Sequence, residues 1–202
     1  MPITAEDLVT IQEAIDQGGK IWENEILVDI KRRIKVHYLT ITDEQCCYCR
    51  RDMTDEFNMV IDIEHVLPKS LYGNFMFRLF NLSVSCKRCN MRIKGNNIDF
   101  LLDAEGVQLN AQDRLQYLIS HPNLDEYFEN IEYLVNTRNN KKSVKYIKLS
   151  EKGIYTYNYF ELEKLEVDTL NKAQGIDISG TELSEDISPE IAVESKELLK
   201  RI

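Results

Sequence analysis

The sequence lacks any apolar run approaching the roughly 20 residues that a membrane helix needs. Its opening residues, MPITAEDLVT, lack the basic-then-apolar pattern of a secretory leader. It has no internal repeat and no low-complexity tract, which excludes solenoid and fibrous architectures. It also lacks an excess of positive charge. A net charge of -9 argues against a surface that attracts nucleic acid over its whole extent. A cytoplasmic location is expected, and there the five cysteines stay reduced, so their clustering points to metal rather than to disulfides. With 43% hydrophobic residues among 202, the chain can bury one sizeable core.

The charge is uneven. Between Cys46 and Lys94 the cations Arg50, Arg51, Lys69, Arg78, Lys87, Arg88, Arg92 and Lys94 outnumber the acids Asp52, Asp55, Glu56, Asp62 and Glu64, whereas residues 151–202 are strongly acidic. Thr4 with Asp7 signals a helix start, and AEDLVTIQEAIDQ keeps helical spacing up to Gly18-Gly19. A second amphipathic helix is expected over IWENEILVDIKRRIKVHYL, with Trp22, Ile26, Ile30 and Ile34 on one stripe and Lys31, Arg32, Arg33 and Lys35 on a solvated face open to DNA contact. Residues 58–65 and NLSVS read as short strands, and CKRCNMRIKG as a helical turn or two closed by Gly95. AQDRLQYLIS and LDEYFENIEYLVN read as helices. SVKYIKLSEKGIYTYNYFEL reads as a hairpin turning at Glu151-Lys152-Gly153. A polar linker and a final helix opening at Ser188-Pro189 complete the chain.

Cys46-Cys47-Tyr48-Cys49 and Cys86-Lys87-Arg88-Cys89 each offer two thiols at the spacing that lets a tight turn aim both at one ion. Two such turns make a closed tetrahedral site, structural rather than catalytic, for which zinc is the fitting metal. Cys46, Cys49, Cys86 and Cys89 are the expected ligands; a register using Cys47 in place of Cys46 stays open. The ion would pin residues 46–49 to residues 86–89, closing a loop that contains Glu64, His65 and Asn81, with Asn90 directly after the last ligand.

IEHVLPKS, NLSVSC and CKRCNMRIKGN, in that order and flanked by the thiol pairs, resemble the HNH endonucleases over about residues 46–96. That resemblance implies an α+β fold whose zinc-stapled ββα-metal core spans 41–100. An N-terminal helical segment (1–40), a helical and hairpin extension (101–174) and an acidic linker with terminal helix (175–202) flank it. It implies His65 as general base, a role suited to imidazole near neutral pH. Glu64 and Asn90 become oxygen ligands of a catalytic Mg²⁺ or Mn²⁺, and Asn81 orients the histidine or its loop. Lys87, Arg88, Arg92 and Lys94 become candidates for phosphate contact. The acid of the pattern is often Asp; Glu64 is longer by a methylene. His37 has the bland reading of a helix-end residue, and His121, before Pro122, that of a turn with Asp125 as a solvated first-turn acid.

HPNLDEYFENIEY followed by KGIYT resembles, more loosely, the C-terminal part of the nuclease subunit of Septu-type and retron-linked anti-phage systems. This implies a DNA-cutting effector acting with an ATPase partner. Two other expectations compete: a catalytically silent zinc-stabilised binding module, and an HNH-type RNase.

Overall fold

The computed structural model describes residues 2–54, 56, 60–139 and 141–168. The fold is mixed α and β. The first helix, α1 (Ala5–Gln17), begins as the sequence predicts. Thr4 and Asp7 form a reciprocal capping box, and the chain leaves the helix at Gly18. The second helix is shorter than expected. Ile21–Glu23 and Glu25–Leu27 form tight turns, the Asn24 side chain accepting from the Ile26 amide at 3.1 Å, and α2 covers Val28–Ile41. Ile30 and Ile34 are buried as the predicted stripe requires, and Tyr38 continues it, while Leu27 takes the place expected of Ile26, which is exposed. Trp22 lies outside the helix altogether.

Strands β1 (Ile61–His65) and β2 (Leu82–Cys86) pair antiparallel, with Ile61 opposite Cys86, Glu64 opposite Ser83 and His65 opposite Leu82. A wide helix follows at Arg88–Lys94. It ends on an i→i+5 bond from the Gly95 amide to the Asn90 carbonyl, 2.7 Å, the spacing of a π-turn. Gly95 takes φ 50°, a backbone geometry that a side chain would strain. Strand, strand and helix are thus consecutive elements, and the residues between the strands run through short turns at Gly73–Phe75 and Leu79–Asn81.

The C-terminal part departs from expectation. AQDRLQYLIS holds only the turn Arg114–Gln116, beside an isolated bridge of Leu101 with Tyr117. LDEYFENIEYLVN gives a single helical turn, α3 (Tyr127–Asn130), and then a strand, β3 (Ile131–Arg138). β4 (Lys141–Lys148) lies beside β3, and β5 (Val167–Asp168) pairs with β4. The expected hairpin turn at Gly153 is instead inside a helix, α4 (Glu151–Tyr159), capped by the Ser150 hydroxyl on the Gly153 amide at 3.0 Å. Gly153 is required for closeness rather than for turning, since a Cβ there would sit 1.9 Å from the Asn130 carbonyl oxygen. The expected linker and terminal helix over 175–202 lie outside the described residues.

Among the described residues, those of 2–133 and 146–164 form one compact unit, and those of 134–145 and 165–168 a second. The N-terminal helices, the strand–strand–helix segment and α4 all belong to the first. Among the described residues no helix is long and apolar enough to cross a membrane.

Candidate metal centre and active site

The two thiol pairs meet. The sulfurs of Cys46, Cys49, Cys86 and Cys89 all lie within 4.8 Å of one another and are buried, a donor set that could bind a metal such as zinc. Cys49 Sγ stands 3.8 Å from Cys86 Sγ, and the Cys86 amide donates to Cys46 Sγ at 3.4 Å. Cys47 is left out of the group, so the four thiols that gather are those of the register with Cys46. Burial pushes the Cys47 thiol well up, while burial of Cys46 is outweighed by the four neighbouring thiols that hold it well below its usual range.

The first pair is positioned from far along the chain. Tyr127 and Tyr146 donate their hydroxyls to the Tyr48 and Cys49 carbonyls at 3.0 and 2.6 Å. Arg50, at φ 54°, lays its guanidinium over the rings of Tyr127 and Phe128 at 5.1 and 4.9 Å. Arg88, expected at a phosphate, instead donates to the Phe160 and Glu161 carbonyls at 2.8 and 2.9 Å, so it ties the second pair to the end of α4.

Side chains alternate along a strand, so Asp62 and Glu64 of β1 share a face with Ser83 and Ser85 of β2. The wide helix supplies the partners of both acids. Asn90 Nδ2 donates to Asp62 Oδ2 at 3.1 Å, and one turn on, Lys94 Nζ pairs with Glu64 Oε1 at 2.8 Å. Glu64 is fully buried; the Tyr48 hydroxyl also donates to its Oε1 at 3.0 Å, and the Ser85 hydroxyl lies 3.5 Å from Oε2. Burial pushes its carboxyl up, with the Lys94 charge and the donors opposing.

A catalytic divalent cation between Glu64 and Asn90 does not fit this arrangement. The Glu64 carboxylate already holds an ammonium group in a closed polar pocket, and Asn90 turns to Asp62. Lys94, expected to reach a phosphate, is only 2% exposed in its side chain and also donates to the His65 carbonyl at 2.8 Å. The pair Glu64–Lys94 therefore braces the end of β1 that carries the histidine. Asp62 is an acid of the site beyond those expected, and the period-2 alternation of IDIEH places it on the same face as Glu64.

His65 points to other partners. Its Nε2 lies 3.0 Å from the Met76 carbonyl, which can only accept, so Nε2 carries the proton and Nδ1 keeps the lone pair. Its ring meets Trp22 edge-on, centroids 4.4 Å apart. Burial, then the Lys69 charge, lower its pKa to about 3, so the imidazole is neutral at physiological pH. Asn81, fully buried, clips the chain on both sides of that contact. Its Oδ1 accepts from the Leu67 amide at 2.6 Å, and its Nδ2 donates to the Leu67 and Phe75 carbonyls, each at 3.1 Å. Asn81 is thus a positioning residue for the backbone after His65 and beside Met76.

A cleft of about 810 Å³ opens beside the strand–helix face. Asp62, Lys69, Lys87, Asn90, Trp22 and the α2 residues Lys31, Arg32 and Lys35 line it. Lys87 pairs with Asp62 at 2.6 Å on this wall, and Arg92 is exposed without lining it. His121 is fully buried, its Nδ1 accepting from the Asn123 amide at 3.1 Å. Asp125 beside it is no solvated acid: its carboxylate is buried, accepting from the His121 amide at 2.8 Å and pairing with Lys152 at 2.7 Å.

The chain is 34% identical over 85 residues to the Septu protein PtuB of Bacillus thuringiensis. The matched stretch is 42% of this chain and 30% of that protein, so the chain spans less than a third of the length of the curated relative it matches. No known family profile matches the chain, and no solved structure matches it.

Proposed function

We propose that the chain is an HNH-type endonuclease that hydrolyses DNA as an effector of a Septu-type anti-phage system, working with an ATPase partner. The observation that carries the reading is His65. It is an imidazole at the end of a short strand, its Nε2 proton committed to a main-chain carbonyl and its Nδ1 the remaining base, inside a segment that carries the four gathered thiols. Such a base takes the proton of a water attacking a phosphodiester, an effect worth about 10²–10⁴ in rate. Asn81 and the Glu64–Lys94 pair hold the backbone on either side of it, so their contribution is orientation. The similarity to PtuB supports the defence setting, and the acidic net charge supports a partner that shares in holding DNA.

A supercoiled plasmid incubated with the protein and Mg²⁺ or Mn²⁺, with and without the ATPase, tests this reading. Cleavage by the native chain and a loss of at least about a hundredfold in His65→Ala with the thiol-bound metal retained are expected. One observation favours a second reading, a zinc-stabilised binding module without catalysis. His65 is nearly buried against Trp22, and the acid beside it is locked in an internal ion pair. Equal inertness of both proteins with the partner present would decide for the module.

A further inference from the structure

The cations that line the cleft come from three separate places in the chain. Lys31, Arg32 and Lys35 belong to α2, Lys69 follows β1, and Lys87 opens the turn into the wide helix. Only folding gathers them, and among the lining residues they face a single acid, Asp62, in a chain whose net charge is -9. Desolvation already acts on one of them. Lys35 is pulled below the usual lysine range by burial, with Asp62 opposing and Lys87 adding to the effect. Gathering like charges costs free energy in the isolated chain, and a polyanion in the cleft would relieve that cost.

A second hollow, of about 480 Å³, shares Trp22, Lys69 and Asn96 with the first and is lined by Met76, the residue whose carbonyl holds His65. The two hollows adjoin at these shared residues, from the α2 cations to Trp22, the ring that meets His65, and the second adds one cation, Lys20, and one acid, Glu23. Lys31 and Lys35 are one helical turn apart, on the same side of α2. Four of the five cations are lysines, which meet phosphates as point charges and read no base.

We infer that this cleft is the track for the sugar-phosphate backbone of duplex DNA, with Lys31, Lys35 and Lys69 as its phosphate contacts. The inference rests on the nuclease reading for the choice of DNA. It transfers the binding role from the wide helix, where Arg88 is spent on two main-chain carbonyls and Lys94 in a buried ion pair, to a helix that lies before the thiol-stapled segment, whose Lys31 donates one proton to the Trp22 carbonyl at 2.9 Å and keeps two for a phosphate.

The test is fluorescence anisotropy of the full chain with a labelled duplex, without added divalent cation, between about 50 and 200 mM salt. Wild type is expected to bind with a linear log–log salt dependence. K31E/K35E/K69E is expected to lose more than about tenfold in affinity at the lowest salt and to lower the slope by about 3, at roughly 0.9 per phosphate. K31Q/K69Q, a milder change, is expected to lower it by about 2. Retained zinc content and an unchanged thermal melt establish that these variants fold.

Binding and slope unchanged in the folded variants, a larger loss from Arg92→Glu than from the triple change, or no binding by wild type at any salt would each overturn the track. Preferential competition by RNA of the same sequence would overturn duplex DNA as its occupant. Plasmid cleavage dependent on His65 but indifferent to these lysines sinks the track alone. Lysine-dependent binding without cleavage sinks the nuclease reading alone.

Discussion

The buried ion pair between Glu64 and Lys94 separates two roles that look alike on paper. A lysine at a phosphate can be removed at little expense to the fold, whereas removing one partner of a buried pair leaves the other charge uncompensated. We expect Lys94→Ala to lower unfolding free energy by about 3–5 kcal/mol in urea titrations, and Lys94→Met with Glu64→Leu to recover most of the loss. Imidazoles give a second residue-scale prediction. His65 and His121 are each held at a pKa of about 3, against an ordinary 6.5, chiefly by burial. Their folded pKa is depressed, so the stability they confer is complete above about pH 6.5 and is lost as pH falls towards 3, because the unfolded chain takes up protons that the folded one refuses. The expected loss is about 1.4 kcal/mol per pH unit for each, offset in part by Glu64, whose raised carboxyl acts in the opposite direction. Urea titrations at pH 7, 6 and 5 measure the slope. His121→Asn, which keeps an acceptor for the Asn123 amide, should reduce it, and NMR should find both rings neutral at pH 5.

Elements were legible where a local rule decides them, and illegible where a distant contact does. The Thr4–Asp7 capping box and the thiol spacing act within a few residues, so α1 and the metal pairs could be read directly from the chain. Gly153 shows the opposite case. Placed between two β-rich runs it reads as a turn, yet the choice of glycine is made by the Asn130 carbonyl, a contact that exists only after folding. Gly153→Ala is therefore expected to destabilise the protein by about 1–3 kcal/mol through overpacking, despite alanine's better helix propensity, with circular dichroism melts as the measure. α3 is another case: LDEYFENIEYLVN has helical spacing, but Ile131 is buried at the start of β3 and the helix stops after one turn. The candidate site divides the same way. His65 and Asn81 were visible from their neighbours. The ion pair that occupies Glu64, the cover given by Trp22 and the cationic cleft were hidden, because each joins residues more than 25 positions apart or sets an exposed-looking helix face against a strand.

At the scale of the whole molecule, the thiol centre is the element most sensitive to chemistry. Purified protein is expected to carry about one zinc per chain, and a strong chelator or Cys89→Ser to abolish the cooperative melt. Cys47→Ala should keep the metal, since Cys47 stands outside the cluster. Elemental analysis beside calorimetry checks both. The centre also does not belong to residues 41–100 alone: the carbonyls of Tyr48 and Cys49 are held by Tyr127 and Tyr146, and Phe160 stacks on Tyr48 at 4.1 Å.

That long reach has a consequence for birth on the ribosome. The sulfur cage can gather its four ligands once Cys89 has left the exit tunnel, but the phenol latches that hold its first knuckle in shape, Tyr127 and Tyr146, arrive about forty and about sixty residues later, a delay of several seconds at ordinary synthesis rates. A nascent chain whose first 100 residues have emerged should therefore capture zinc loosely and surrender it to a mild chelator, and one that has emerged past α4 should not.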